Sequence, residues 1–200
     1  MSFSALILAG GRSSRMGCDK AWLEIEGRPL IERQLALVRA AGAVEVFISG
    51  RAAPDFAALG CRVLEDTFRE AGPLAGIERG LAATTSPRLL VLAVDLPRME
   101  LGFLQRLTAA CTDHCGVVSE RRGGLEPLVA VYPKSAHARA VQQLEAGRNA
   151  VREFAEICEA AGELRRLPVA AAVESLFLNW NTPGDLPGGN AAPAFLPSDP

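Results

Sequence analysis

The chain has 200 residues, of which 49% are hydrophobic and 22% charged, and its formal net charge is -2. That length is enough for one α/β domain with a sizeable core. Near-balanced charge with no basic tail argues against nucleic acid as a partner, so any anionic ligand must be held by a local site.

In chain order, Ser4 to Leu8 reads as a first buried strand. The chain enters it directly, with no charged leader and no long apolar run, so neither a signal peptide nor a transmembrane segment is expected. A glycine-rich loop follows. Pro29 to Ala41 reads as a helix with Pro29 at its first position and Ile31, Leu35 and Val38 on one face. Val44 to Ile48 and Cys61 to Leu64 are further strands, and Pro73 opens a helix that aligns Leu74, Ile77 and Leu81. "LLVLAV", Leu89 to Val94, is the most apolar run and predicts a central strand buried on both faces. A helix is expected from Leu101 to Cys111 with Phe103, Leu104 and Leu107 inward. Gly116–Ser119 and Leu128–Tyr132 read as strands joined by the loop "ERRGGLEP".

Ser135 can cap a helix reaching Leu144, and Asn149 the next one, in which Val151, Phe154, Ala155 and Cys158 share a face. Leu164–Val169 and Ser175–Leu178 are weaker strand candidates, and Thr182-Pro183 resembles a short helix start. The tail from 187 to 200, rich in Gly, Pro and Ala, predicts poor order after a single domain over 1–186. Alternating strands and helices imply a Rossmann-like three-layer α/β sandwich, with a mostly parallel sheet and helices on both faces. Ligands of such sheets bind beyond the carboxyl ends of the strands.

Chemistry is therefore sought in the loops after strands. In "AGGRSSRMGCDK", Gly10 and Gly11 can turn backbone N–H groups toward an anion, while Arg12, Arg15 and Lys20 add charge. Walker A is excluded, because no Gly-Lys pair exists, and GxGxxG is absent from this turn. A plain glycine-rich turn is the alternative. Asp95 ends the apolar strand, where it can ligate Mg²⁺ or simply cap the next helix. Asp66, in "VLED", is a second acid after a strand, or a solvated loop residue. "GPLAGI", Gly72 to Ile77, either packs closely on the sheet or lends N–H groups to a ligand. Five cysteines (Cys18, Cys61, Cys111, Cys115 and Cys158) at irregular spacing argue against a disulfide scaffold and for a reducing cytoplasm. "CTDHC" has no second ligand pair, so zinc is not expected.

"LAGGRSSRMGCDK" resembles the signature LAGGxxxRMGxDK of the molybdenum cofactor guanylyltransferases. The resemblance continues through "GRPLIE", "VLED", "GPLAGIERGL", "VDLP", "EPLVAVYP" and "NWNTPGDL", covering about residues 4 to 186. It implies a cytoplasmic, Mg²⁺-dependent nucleotidyltransferase that moves GMP from GTP onto the terminal phosphate of molybdenum-molybdopterin and releases pyrophosphate. Transient contact with molybdoenzymes or cofactor-delivery proteins is implied as well. Carried onto this chain, Leu8, Ala9, Gly10 and Gly11 contact the nucleotide, and Arg15 and Lys20 bind its phosphates. Asp66 contacts nucleotide or metal, Asp95 ligates Mg²⁺, and Asn179 and Asn181 lie on the pterin side. Arg15, Lys20 and Asp95 are the catalytic candidates. Two positions depart from the family pattern: Ser49 stands where Asn is common, and Val94 where Cys often precedes the metal Asp. Ser49 is shorter but still a hydrogen-bonding contact for base or ribose.

A phosphate nucleophile is already ionised near neutral pH, so no general base is required and neither His114 nor His137 is given a role. The acceptor's own phosphate points to Arg121 and Arg122 on the "SERRGGLEP" segment, or to Arg148, although a solvated hairpin explains the first two equally well. The competing activities are cytidylyl transfer to the same cofactor, sugar-phosphate nucleotidylyl transfer, and a non-catalytic nucleotide-binding adaptor.

Overall fold

The computed structural model describes residues 2–10, 20–50, 56, 58–68 and 70–180. The strands are β1 (Ser4–Leu8), β2 (Glu24–Ile25), β3 (Arg28–Pro29), β4 (Val46–Ser49), β5 (Arg62–Leu64), β6 (Arg88–Ala93), β7 (Gly116–Arg121), β8 (Gly124–Pro133) and β9 (Leu164–Pro168). The α-helices are α1 (Leu30–Ala40), α2 (Pro73–Ala83), α3 (Leu101–Ala109), α4 (His137–Glu145) and α5 (Val151–Ala160). Seven strands form one sheet in the order β5-β4-β1-β6-β8-β7-β9. All its pairings are parallel except those of β8, which runs antiparallel to both β6 and β7. The sheet is thus mostly parallel, as the alternation of elements predicts.

Every residue of β1 and β6 is buried. Successive side chains in a strand point to opposite faces, and each face carries its own apolar layer. Ala5, Ile7, Leu90, Leu92, Val117 and Val131 meet α1 and α3 on one face. Leu6, Leu8, Leu89, Val91, Val118 and Tyr132 meet α2, α4 and α5 on the other. Burying one such aliphatic side chain fully is worth about 1.5–3 kcal/mol, so continuous apolar runs in the central strands hold the sandwich together.

β8 bends within the "EPLVAVYP" segment. Its pairing with β7 steps from Val118↔Ala130 to Ser119↔Glu126, leaving Pro127 to Val129 as extra residues. A proline without an N–H fits such a bulge. The Ser119 hydroxyl donates to Val129 O at 2.8 Å and the buried Tyr132 hydroxyl to Pro127 O at 2.9 Å, which ties off the bend.

Several local expectations shift. Pro29 precedes α1 as its N-cap instead of opening it. The second strand runs over Val46–Ser49, leaving Val44 exposed. "ERRGGLEP" is mostly strand, a hairpin whose turn is only Arg122 and Gly123. α4 and α5 begin at His137 and Val151 after Ala136 and Ala150, and neither Ser135 nor Asn149 makes a side-chain cap. The last candidate strand is instead a 3-10 helix, Ala171–Phe177, that buries Leu176 and Phe177 beside α3. The sequence reading also overlooked the small β2–β3 hairpin, whose turn puts Glu26 and Gly27 at positive φ. The Thr182 helix start and the tail from 187 to 200 lie outside the described residues. Among the described residues, no helix is long and apolar enough to cross a membrane.

Candidate active site

Because β5, β4, β1, β6 and β7 all run the same way, the loops at their carboxyl ends share one edge of the sheet. Taken across that edge they are Asp66, Ser49, Leu8–Gly10, Asp95 and Arg121. Strands lie about 4.8 Å apart, so Asp66 and Asp95 stand roughly three strand spacings, ~14 Å, from each other.

Lys20 reaches this edge through a short 3-10 turn, Lys20–Trp22, seated on α1. Ala21 is fully buried there, and Trp22 stacks on Phe56 with ring centroids 5.5 Å apart. These contacts hold the Lys20 Nζ 3.6 Å from Asp95 Oδ2, with each side chain about a fifth exposed (23% and 21%). A cation and a carboxylate are thus side by side and open to solvent.

The backbone around Asp95 is held from two directions. The Val94 N–H donates to Leu8 O, and the Trp180 N–H donates to Asp95 O at 3.1 Å. Trp180 is buried and Asn179 beside it is exposed, so Asn179 is carried to the Asp95 loop. From α1, the buried Gln34 amide donates to Leu96 O at 2.7 Å and to Val94 O at 3.5 Å. Gln34 has no motif to reveal it. Its one sequence signal is a polar residue three positions after Ile31, inside the apolar stripe of α1.

At the other end of the edge, the Ser49 hydroxyl donates to Asp66 Oδ1 at 3.4 Å. The Ser49 carbonyl accepts both the Ala9 N–H (3.0 Å) and the Gly10 N–H (2.9 Å). Those amides face β4, so the anion nest proposed for this turn cannot use them. Gly76 of α2 lies directly against Ser49 and Leu8: a Cβ there would collide with Ser49 Oγ and stand 2.8 Å from Leu8 Cδ2. Close packing on the sheet is therefore the role of Gly76 in "GPLAG". Glu78, two residues further along α2, is buried and paired with His137 Nε2 at 2.8 Å, which gives that histidine a structural partner.

Asp66 is exposed overall, but partial desolvation of its carboxyl raises it above its ordinary value of 3.8, and the neighbouring Glu78 adds to the rise; the Ser49 hydroxyl and Arg79 oppose it. The folded state thus binds this proton more tightly than the unfolded chain does. The resulting stability is fully present below pH 3.8 and is lost as pH rises through the higher folded value. Asp66→Asn removes that loss, so the variant's thermal midpoint should gain on the wild type as pH rises through this window. Parallel midpoint-against-pH curves for the two proteins would refute the assignment.

The acceptor candidates divide. Arg121 lies over the Phe177 ring at 5.4 Å and its Nε is 2.9 Å from Glu126 Oε1, on the α1–α3 face. Arg121, Arg122 and Gly123 line a groove with Glu174, Ser175 and Leu178, the residues leading to Asn179. Arg148 instead pairs with Glu153 of α5 at 2.9 Å, in the helix layer of the opposite face. Arg121 and Arg148 are therefore not brought together. Gly11, Arg15 and Asn181 lie outside the described residues.

The donor chemistry suits a hard divalent cation, since Mg²⁺ takes one or two protein carboxylates together with phosphate oxygens and waters. Asp95 offers a partly exposed carboxylate on the ligand-binding edge. Cys111 and Cys158 offer nothing comparable: burial pushes their thiols up to about 11 and about 12.

Residues 5–163 match the model of the MobA-like NTP transferase domain. A protein of Opitutus terrae named "Probable molybdenum cofactor guanylyltransferase" is 35% identical over 187 residues, 92% of this chain and 93% of its own length. A molybdenum cofactor guanylyltransferase of Xanthomonas euvesicatoria is 34% identical, with 90% of each chain covered. The crystal structure of molybdopterin-guanine dinucleotide biosynthesis protein A from Archaeoglobus fulgidus superposes with a TM-score of 0.70 at 22% identity, covering 91% of this chain and 94% of that one. At that identity the likeness speaks for the fold.

Proposed function

The chain belongs to the MobA-like NTP transferase family, and from that membership we propose that it is a molybdenum cofactor guanylyltransferase. It transfers GMP from GTP to molybdenum-molybdopterin, forming the guanine dinucleotide cofactor and releasing pyrophosphate. The observation that carries the reading is the Lys20–Asp95 pair on the ligand-binding edge, between Leu8–Gly10 on one side and Asn179 on the other.

The terminal phosphate of the pterin attacks the α-phosphorus of GTP in line, and the bond to the pyrophosphate oxygen breaks. The protein's task is to position two anions and to offset the charge that grows on the bridging oxygen. We assign the nucleoside to Leu8, Ala9, Gly10, Gly11, Ser49 and Asp66. The phosphates fall to Lys20 and Arg15, because the Ala9 and Gly10 amides are committed to Ser49. Asp95 would hold Mg²⁺, which when bound supplies neutralising charge at the phosphates. Arg121, Arg122, Asn179 and Asn181 are the acceptor-side residues on this reading. Arg148, on the opposite face and paired with Glu153, is the weakest of the acceptor candidates. One domain over residues 1–186 carries both substrates.

Supplying GTP and CTP in turn, with Mg²⁺ and the molybdenum-loaded pterin, tests the function. Product should form faster with GTP; faster turnover of CTP would reassign the enzyme to cytidylyl transfer, and turnover of a hexose phosphate would move it to the sugar-nucleotide group. Lys20→Ala should weaken GTP binding by roughly 10-fold or more, the size of a charge-assisted contact of about 1.5–3 kcal/mol. Equal affinity by titration calorimetry would remove Lys20 from the phosphate site.

A further inference from the structure

Three successive carbonyls, those of Val94, Asp95 and Leu96, are each held by a donor. Trp180 takes the middle one, and Gln34 takes the two that flank it. Gln34 is 1% exposed, and its buried Oε1 has no hydrogen-bond partner among the described residues. The amide cannot be turned round, because both groups facing its nitrogen are carbonyl oxygens and only an N–H can meet them. A buried orphan acceptor costs about 1–3 kcal/mol. A methionine or leucine would fill the same space beneath the sheet without that cost. What an apolar side chain would not supply is the pair of N–H bonds that pins the turn on either side of the metal-binding carboxylate.

We propose that Gln34 is a positioning residue for guanylyl transfer: by gripping Val94 O and Leu96 O from α1, it sets where the Asp95 carboxylate meets Mg²⁺·GTP. The inference rests on the assignment of Asp95 as the metal ligand. Catalytic groups must be held to within a fraction of an ångström by the residues behind them. Gln34 fills that place, since it lies in the core and, among the described residues, its side-chain hydrogen bonds go to the backbone of the Asp95 turn.

The test compares wild type, Gln34→Met, Gln34→Leu and Asp95→Asn in two measurements. One is titration calorimetry of GTP with and without Mg²⁺. The other is steady-state transfer as a function of Mg²⁺ and GTP. For Gln34→Met we expect a thermal midpoint close to that of the wild type, because the orphan Oε1 goes while Val94 O loses its Gln34 donor and Leu96 O keeps the Met99 N–H. Its GTP affinity without Mg²⁺ should be unchanged. The gain in affinity that Mg²⁺ brings should shrink by about 10-fold, and kcat should fall by a similar factor, while KM for GTP at saturating Mg²⁺ moves little. Gln34→Leu repeats the measurement if the methionine variant does not fold. Should Asp95→Asn lose the Mg²⁺ effect while Gln34→Met keeps it in full, the positioning role is overturned and Asp95 stands. Should the wild type show no Mg²⁺ effect, the metal assignment itself fails.

Discussion

Asp95→Asn should lower Mg²⁺-dependent GMP transfer on the order of 10³-fold while leaving the fold intact. Among the described residues, Asp95 is the one strand-end carboxylate that is partly exposed, next to a lysine, and between Leu8–Gly10 and Asn179. In a phosphoryl transfer with little covalent work for the protein, charge placed at the phosphates accounts for most of the barrier lowered. Losing a metal ligand therefore removes several kcal/mol of transition-state stabilisation. The effect on stability should be small. The Lys20–Asp95 pair spans 3.6 Å and is partly solvated, and such pairs contribute about 0–1 kcal/mol. Asn keeps the shape of the side chain, and the backbone bond from Trp180 does not depend on its charge. Turnover within 10-fold of the wild type, at any Mg²⁺ concentration, would contradict the assignment.

The second large effect should come from Gly76→Ala. Its Cβ would meet Ser49 Oγ and Leu8 Cδ2 at once, where α2 crosses the ends of β4 and β1. Ser49 is the residue whose carbonyl gathers the Ala9 and Gly10 amides and whose hydroxyl reaches Asp66. Overpacking of this kind costs about 1–3 kcal/mol, and it displaces the nucleotide end of the edge. We expect a lower thermal midpoint together with a higher KM for GTP. Removing the hydroxyl with Ser49→Ala should restore part of the stability lost in Gly76→Ala, because it takes away the first of the two collisions. A double-mutant cycle that shows strict additivity would mean that the helix yields elsewhere.

Much of this was legible in the chain. The apolar runs of β1 and β6, and the aligned Phe103, Leu104 and Leu107 of α3, reflect local periodicity and burial, so the sandwich and its ligand-binding edge follow from them. Where the reading missed, the cause was contact between distant parts of the chain. The end of β7 and the start of β8 carry charge and glycine, which hide strand pairing that only the partner strand reveals. Leu176 and Phe177 looked like strand residues, but they are apolar because they bury into the layer beside α3. The amides of Ala9 and Gly10 could not be counted against a ligand until Ser49 was seen to accept them. The partners of Gln34 are hidden for the same reason: they lie 60 and 62 residues away.

The central claim is that one edge of the sheet holds a GTP–metal complex, with its nucleoside end at Ser49 and Asp66 and its phosphate end at Lys20 and Asp95. The measurement that bears on it most directly is the crystal structure of the protein with GTP and Mg²⁺. We predict the metal on Asp95, the Lys20 ammonium on a phosphate oxygen, and the base on the β4–β5 side of the glycine turn. Nucleotide bound elsewhere, or bound here with the metal away from Asp95, would contradict the account.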